Sequence, residues 1–250
     1  MLDLQLEGQV AIVTGANRGL GQAMALALIE QGVQVLATDR TLENLEKMED
    51  LIPGKMLPVL CDMKDTEAVA KLPDQAIEAF GQLDIIVNNA GIAPACRFLE
   101  QDFQVWNDTL AINVTALAIL ANAAGKHMWK QASGKIINIA STSGILGKPL
   151  LVGYSSSKGA VLQFTKALAG EWARKNIQVN AIAPGAFVTE AQSAVLESPE
   201  ILARRLGKIP AKRMAKPEEI GPLVCYLASP LSNFITGSVF VMDGGESSKL

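Results

Sequence analysis

Seven short runs of apolar residues, at 10–14, 33–38, 56–61, 85–88, 135–140, 178–182 and 238–242, alternate with longer segments of helical spacing. The helical segments lie at 19–31, 41–50, 66–80, 103–130, 154–175 and 217–228. Runs that are apolar throughout, rather than at every second position, suit strands covered on both faces. Repeated strand–helix alternation implies an α/β fold with a doubly wound parallel sheet. No Pro/Gly/Ser-rich linker and no internal repeat divides the chain, so residues 1–250 read as one domain. Residues 185–216 are the exception, a long connection of the kind expected for a substrate-covering loop.

Composition narrows the class further. Hydrophobic residues are 49% and charged residues 19%, which excludes a disordered chain. A chain of 250 residues buries roughly 70–75% of its unfolded surface and needs no staple. Net charge is −3 without any basic cluster, so no nucleic-acid partner is expected. Cys61, Cys96 and Cys225 are scattered and His127 is the lone histidine, so neither a disulfide framework nor a metal site is expected. Residues 1–8 lack the basic stretch of a secretory signal. The longest apolar stretch, 110–124, is interrupted by Asn113, Thr115 and Asn122. The expectation is a soluble, cytoplasmic protein without a membrane partner.

The first strand runs directly into Gly15, Gly19 and Gly21, with Asn17, Arg18 and Leu20 between them, and a helical segment follows. Such a turn lets backbone N–H groups approach a pyrophosphate at a helix start. A glycine-rich turn without a ligand has the same residues. Asp39, at the end of the second strand, is placed to bond an adenosine ribose and to repel a 2′-phosphate. It could equally cap the next helix. Arg40 and Arg18 pull the other way, because a guanidinium clamps phosphate. Asp62 ends the third strand, where an adenine edge or only a loop would meet it.

At the opposite side of this edge the fourth strand ends in Asn88, Asn89, Ala90 and Gly91. The fifth strand ends at Ser141, and Tyr154 and Lys158 follow, four residues apart on one helix face. A phenol beside an ammonium is a plausible proton donor or acceptor for a substrate oxygen. Ser141 would hold that oxygen, and Asn113 could bridge Lys158 to solvent through a water.

The ordered set Thr14-Gly-x-x-x-Gly-x-Gly21, Asn88-Asn-Ala-Gly91, Asn113, Ser141, Tyr154-x-x-x-Lys158 and Asn180-x-x-x-Pro184-Gly185 resembles the short-chain dehydrogenase/reductase family over residues 6–245. The resemblance implies one Rossmann-type domain with a seven-stranded parallel sheet. It implies a catalytic tetrad on Asn113, Ser141, Tyr154 and Lys158, with Lys158 also bonding the nicotinamide ribose. Pro184, Gly185, Val188 and Thr189 would line the nicotinamide. The C-terminal strand would lie in a subunit interface, and long helices across a two-fold axis would complete a homotetramer.

Two classes of function remain at this level: an oxidoreductase, or a nucleotide-binding regulatory protein on the same fold. The intact set of Ser141, Tyr154 and Lys158 favours the enzyme. The expected cofactor is NAD, with NADP the alternative. The expected substrate is a small molecule, a sugar acid or polyol, from a resemblance to gluconate and deoxygluconate dehydrogenases in the C-terminal half. A 3-oxoacyl-carrier-protein reductase is the alternative, since the expected pocket residues Ala93, Ala95, Cys96, Ser143, Ile145, Leu146, Leu150, Leu151, Phe187 and Val188 are largely apolar. Arg97, Lys148 and Gln192 are the polar exceptions near them.

Overall fold

The computed structural model describes residues 3–248, so positions 1–2 and 249–250 of the expected domain lie outside the described residues. The strands are β1 (Val10–Thr14), β2 (Gln34–Asp39), β3 (Met56–Leu60), β4 (Ile85–Asn88), β5 (Gly134–Ile139), β6 (Ile177–Pro184) and β7 (Val239–Met242). They form one parallel sheet in the order β3-β2-β1-β4-β5-β6-β7. The helices are α1 (Gly19–Glu30), α2 (Glu43–Leu51), α3 (Thr66–Phe80), α4 (Phe103–Leu110), α5 (Ala116–Gln131), α6 (Ser143–Leu146), α7 (Val152–Trp172), α8 (Ser193–Leu196), α9 (Pro199–Lys208) and α10 (Gly221–Ala228).

Each strand feeds two cores, which is why its residues are apolar without alternation. On β1, Ala11 and Val13 pack with α1, α2 and α10, whereas Val10 and Ile12 pack with α3, α5 and α7. Successive side chains point to opposite faces, so both sets are buried. The winding reverses between β1 and β4, and the crevice opens at their carboxyl ends.

Two expected elements differ from the sequence reading. The helix expected over 103–130 is broken by a π turn, Ala111–Thr115, centred on Asn113. The run Phe103–Gln131 is long and apolar enough to cross a membrane by length and composition, yet half of its most apolar window is buried within the protein. Residues 185–216 are not irregular. They carry α8 and α9, and Ala186, Ile209 and Met214 form a small core with Leu196, Leu202 and Leu206. Phe187 pairs with Ala215 in a short parallel bridge that closes this excursion onto itself.

Candidate active site

The glycine turn is built for close approach. Gly15 and Gly19 hold φ of +66° and +58°, the left-handed region that side chains rarely adopt. A β-carbon on Gly21 would lie 2.0 Å from the Gly15 carbonyl oxygen. The turn is stapled from the next strand: Asn89 Nδ2 donates to the carbonyls of Thr14 (2.9 Å) and Gly15 (3.0 Å). Thr14 Oγ1 in return accepts from the N–H groups of Asn89 and Ala90, both at 3.0 Å. The Asn89 side chain is therefore engaged inside the protein, and the surface it leaves to a ligand is backbone.

These residues fit a dinucleotide. The first turn of α1 has no side-chain cap and no acidic residue, so its N–H groups and positive dipole end face the cradle. Asn17 Oδ1 is buried there without a partner. The Leu20 side chain packs against the core beneath, so what it presents to the cradle is its backbone N–H.

At the ribose end, Asp39 Oδ1 accepts from the Arg40 N–H at 2.7 Å and Oδ2 from the Asn17 N–H at 3.4 Å. Both bonds orient the carboxylate at the tip of β2. The Arg40 side chain is exposed. Arg18 reaches across the cradle to Glu190, with Nη1 at 2.7 Å from Oε2. Asp62 is exposed and accepts from the Lys64 N–H at 2.9 Å, as a loop-capping aspartate does.

At the chemical end, α7 is fixed to the sheet by a buried polar chain. Asn88 Nδ2 donates to Asn138 Oδ1, and Asn138 Nδ2 donates to Thr165 Oγ1, each at 2.9 Å. This chain sets the height of Tyr154 and Lys158, which lie on the same helix. The Ser141 side chain stands by the Tyr154 phenol, and its Oγ accepts from the Ser143 N–H at 3.1 Å. Burial pushes the Tyr154 phenol above its ordinary value, and Ser141 opposes that.

Lys158 is buried and donates to the Ile139 carbonyl at 2.7 Å, with its ammonium 5.8 Å from the Tyr154 ring centroid. Desolvation brings its pKa down to about 8. For the phenol, burial is the dominant influence. The Asn113 amide is also fully used. Its Oδ1 accepts from the Ile92 N–H, and its Nδ2 donates to the Ile92 carbonyl and to Ser157 Oγ, all at 2.9 Å. A β-carbon on Gly91 would meet Asn113 Oδ1 at 3.2 Å and Lys158 Nζ at 3.5 Å. The structure thus brings Gly91, Asn113 and Lys158 together, with the Asn113 side chain holding the strand-end loop.

Pro184 and Gly185 end β6 beside Asp243, whose Cβ would lie 2.6 Å from a β-carbon on Gly185. Thr189 stands over the glycine turn, 3.5 Å from a β-carbon built on Gly19. Val188 is exposed beside it. Phe187, expected in the pocket wall, is buried in the core that β1 shares with α1 and α10, and its backbone bridges to Ala215. The sequence reading missed Ser157 and Glu190. Ser157 sits three residues after Tyr154 and so shares its face, but three consecutive serines hide which one matters. Glu190 lies 172 residues from Arg18, and no sequence pattern joins them.

Residues 15–247 match the family described as enoyl-(acyl carrier protein) reductase. The chain is 34% identical to a 3-oxoacyl-[acyl-carrier-protein] reductase of Thermotoga maritima, over 97% of this chain and 99% of that one. It is 37% identical to a 2-dehydro-3-deoxy-D-gluconate 5-dehydrogenase of Escherichia coli, over 96% of both. Among solved structures, a gluconate 5-dehydrogenase from Burkholderia cenocepacia in complex with NADP and tartrate superposes with a TM-score of 0.94. That pair shares 30% identity over 99% of this chain and 98% of the other.

Proposed function

The chain belongs to the short-chain dehydrogenase/reductase family, and from that premise we propose that Tyr154, Ser141, Lys158 and Asn113 carry hydride-transfer chemistry on a sugar acid or polyol. It is an NAD(P)-dependent oxidoreductase of secondary alcohols and ketones. The observation that carries the residue assignment is the buried Lys158 ammonium 5.8 Å from the Tyr154 ring, with Ser141 by the phenol at the open end of β5. A bound nicotinamide supplies or accepts the hydride at the substrate carbon.

The protein's own residues do the rest. Tyr154 exchanges a proton with the substrate oxygen. Ser141 bonds that same oxygen and orients it. Lys158, bonded to the Ile139 carbonyl, adds positive charge behind the phenol and offers its remaining protons to a ribose. Asn113 positions the Gly91–Ile92 loop against which the cofactor ring would lie.

The sugar-acid reading is supported by the two gluconate-type relatives and by the polar groups at the cleft. A 3-oxoacyl thioester is the second reading, favoured by the exposed Ile145 and Leu146 at the end of α6 and Leu150 on the loop before Tyr154. For the cofactor, Asp39 favours NAD. The second reading, NADP, draws on the NADP bound to the Burkholderia cenocepacia relative and on Arg18 and Arg40 at the same edge. The proposal extends to a cytoplasmic homotetramer acting on small molecules, with neither nucleic acid nor membrane as partner, each chain one unit that holds both cofactor and substrate. A panel of sugar acids, polyols and 3-oxoacyl thioesters, assayed with each cofactor by nicotinamide absorbance, tests these choices. Thioesters reduced far more efficiently than every sugar acid and polyol would overturn the substrate reading.

A further inference from the structure

The loop 147–151, between Ser141 and Tyr154, carries a cation that the chemistry above does not use. Its path is fixed on both sides of the reacting position. The Lys148 N–H donates to Ser155 Oγ at 3.1 Å, and the Leu150 carbonyl accepts from the Cys96 N–H at 2.9 Å, on the segment that follows Gly91. Lys148 is half-buried. The charged groups around it are Glu246 and Asp243 from the turn after β7, and Arg205 and Lys208 from α9.

Both carboxylates near Lys148 are already engaged. Glu246 takes Arg205 in a bidentate pair, with its second oxygen 2.7 Å from Nη2, and both side chains are largely buried. Asp243 accepts from the Gly245 N–H at 2.9 Å and the Ser247 N–H at 2.7 Å. The three cations Lys148, Arg205 and Lys208 outnumber the two carboxylates, so the group carries a net positive charge, with Lys148 its half-buried member on the loop before Tyr154. Burial holds the Lys148 ammonium below the ordinary lysine value, so it is under-solvated by its surroundings. An anion brought to it would regain what desolvation costs. Arg97, the other cation near the pocket segments, is exposed and lacks this environment.

We propose that the Lys148 ammonium recognises the carboxylate of a sugar-acid substrate whose alcohol or ketone carbon lies at Ser141 and Tyr154. This rests on the sugar-acid reading above and names the group that would distinguish an aldonate from the alditol of the same skeleton. The Arg205–Glu246 pair is the positioning element, because it holds α9 and the β7 turn around Lys148.

The test is a panel of aldonates, D-gluconate among them, each assayed beside its neutral alditol with wild type, Lys148→Met and Lys148→Arg. Wild type is expected to favour the aldonate of at least one pair. On that pair Lys148→Met should lose about 10- to 100-fold in kcat/KM for the aldonate, mainly through KM, the scale of a hydrogen bond to a charged group. Its alditol efficiency should stay within about twofold, and Lys148→Arg should keep most of the preference. A pH series adds a readout that packing alone would not move. In wild type the aldonate KM should rise on the alkaline side as the lysine loses its proton, and arginine should abolish that rise. If Lys148→Met weakens both substrates equally, or spares the aldonate, the role of Lys148 is overturned while the sugar-acid reading stands. If wild type favours no aldonate over its alditol, the substrate reading itself fails, and the recognition role with it.

Discussion

Replacing Tyr154 by phenylalanine removes one oxygen from a site whose position is set by α7 and the buried Asn88–Asn138–Thr165 chain. Fold and cofactor affinity should survive, while turnover falls on the order of 10²–10⁴-fold, the scale of general acid–base catalysis. Single-turnover kinetics would register the loss, and near-normal turnover would remove Tyr154 from the mechanism. The raised pKa of this phenol also fixes a sign for pH dependence. Reduction needs the protonated phenol, which burial favours, and so should be well supported at neutral pH. Oxidation needs the phenolate, so its efficiency should climb from neutral into alkaline pH. Profiles of kcat/KM in both directions check this; an oxidation rate that falls over that range would contradict it. At the other end of the cleft, Asp39→Ala removes the carboxylate that would repel a 2′-phosphate. Efficiency with NADP relative to NAD should then rise about tenfold or more. An unchanged ratio would mean that Arg18 and Arg40 set the preference instead.

Among the elements, the strands were the most legible, because each was a dense apolar run bounded by polar or glycine residues. The helix over 103–130 was legible as a helix but not as a broken one. Nothing in Ala111-Ile-Asn-Val-Thr115 announces a π turn; the widened turn answers the Ile92 backbone, which Asn113 bonds on both its N–H and its carbonyl. Asn113→Ala would leave those groups and Ser157 short of partners, a loss of about 1–3 kcal/mol for each buried group left unpaired. A thermal melt several degrees lower, with weaker cofactor binding, is the expected result. The opposite holds for α9, whose signals were present and overridden by the polar look of the segment. Ser198 caps it, Pro199 opens it, Glu200 lies in its first turn and Arg205 and Lys208 in its last. The site residues were legible where chemistry demands a residue type, as at Tyr154. They were not where a partner lies far away in sequence, as for Lys158 and the Ile139 carbonyl.

Strand β5 carries its own prediction. Lys135 is buried at its start, donates to Ser232 Oγ (3.2 Å) and Asn233 Oδ1 (2.7 Å), and is brought down to about 8 by desolvation. The folded state disfavours the protonated amine, so the penalty is complete below about pH 8 and relieved as pH rises toward 10.5. Lys158 acts in the same direction. Cys61 and Cys225 have thiols pushed up to about 11 from 9.0, so they begin to oppose the trend above pH 9. Denaturant unfolding between about pH 7 and 9 should therefore show stability rising with pH, and Lys135→Met should flatten the rise. An identical slope in the variant would assign the effect to other groups.

At the scale of the whole molecule, the two long helical segments carry apolar residues over more than one face, among them Leu117, Ile119, Leu120, Val161, Leu162 and Phe164. Four of these, Leu117, Leu120, Val161 and Leu162, belong to the protein's own core. They face the sheet and the neighbouring helix, so the apolar breadth of α5 and α7 is largely spent inside one chain. The exposed apolar surface lies elsewhere, in two separate places. Leu99 is 101% exposed, and Phe98 and Phe103, which stack around Trp106, are more than half exposed just before α4. Phe234, just before β7, is 105% exposed, and Val241 is exposed within β7, an edge strand that has no partner on its outer side among the described residues. Large apolar side chains held fully in water mark association surfaces. In the proposed homotetramer each patch would meet its own copy across a two-fold axis, and two such axes generate dihedral symmetry. Light scattering at micromolar concentration should give about four times the 26.5 kDa chain mass. Phe234→Glu places a charge in only one patch, so it should leave dimers joined through the other. A wild-type mass of one chain would reject the assembly, and a tetramer that survives Phe234→Glu would move the second interface away from β7.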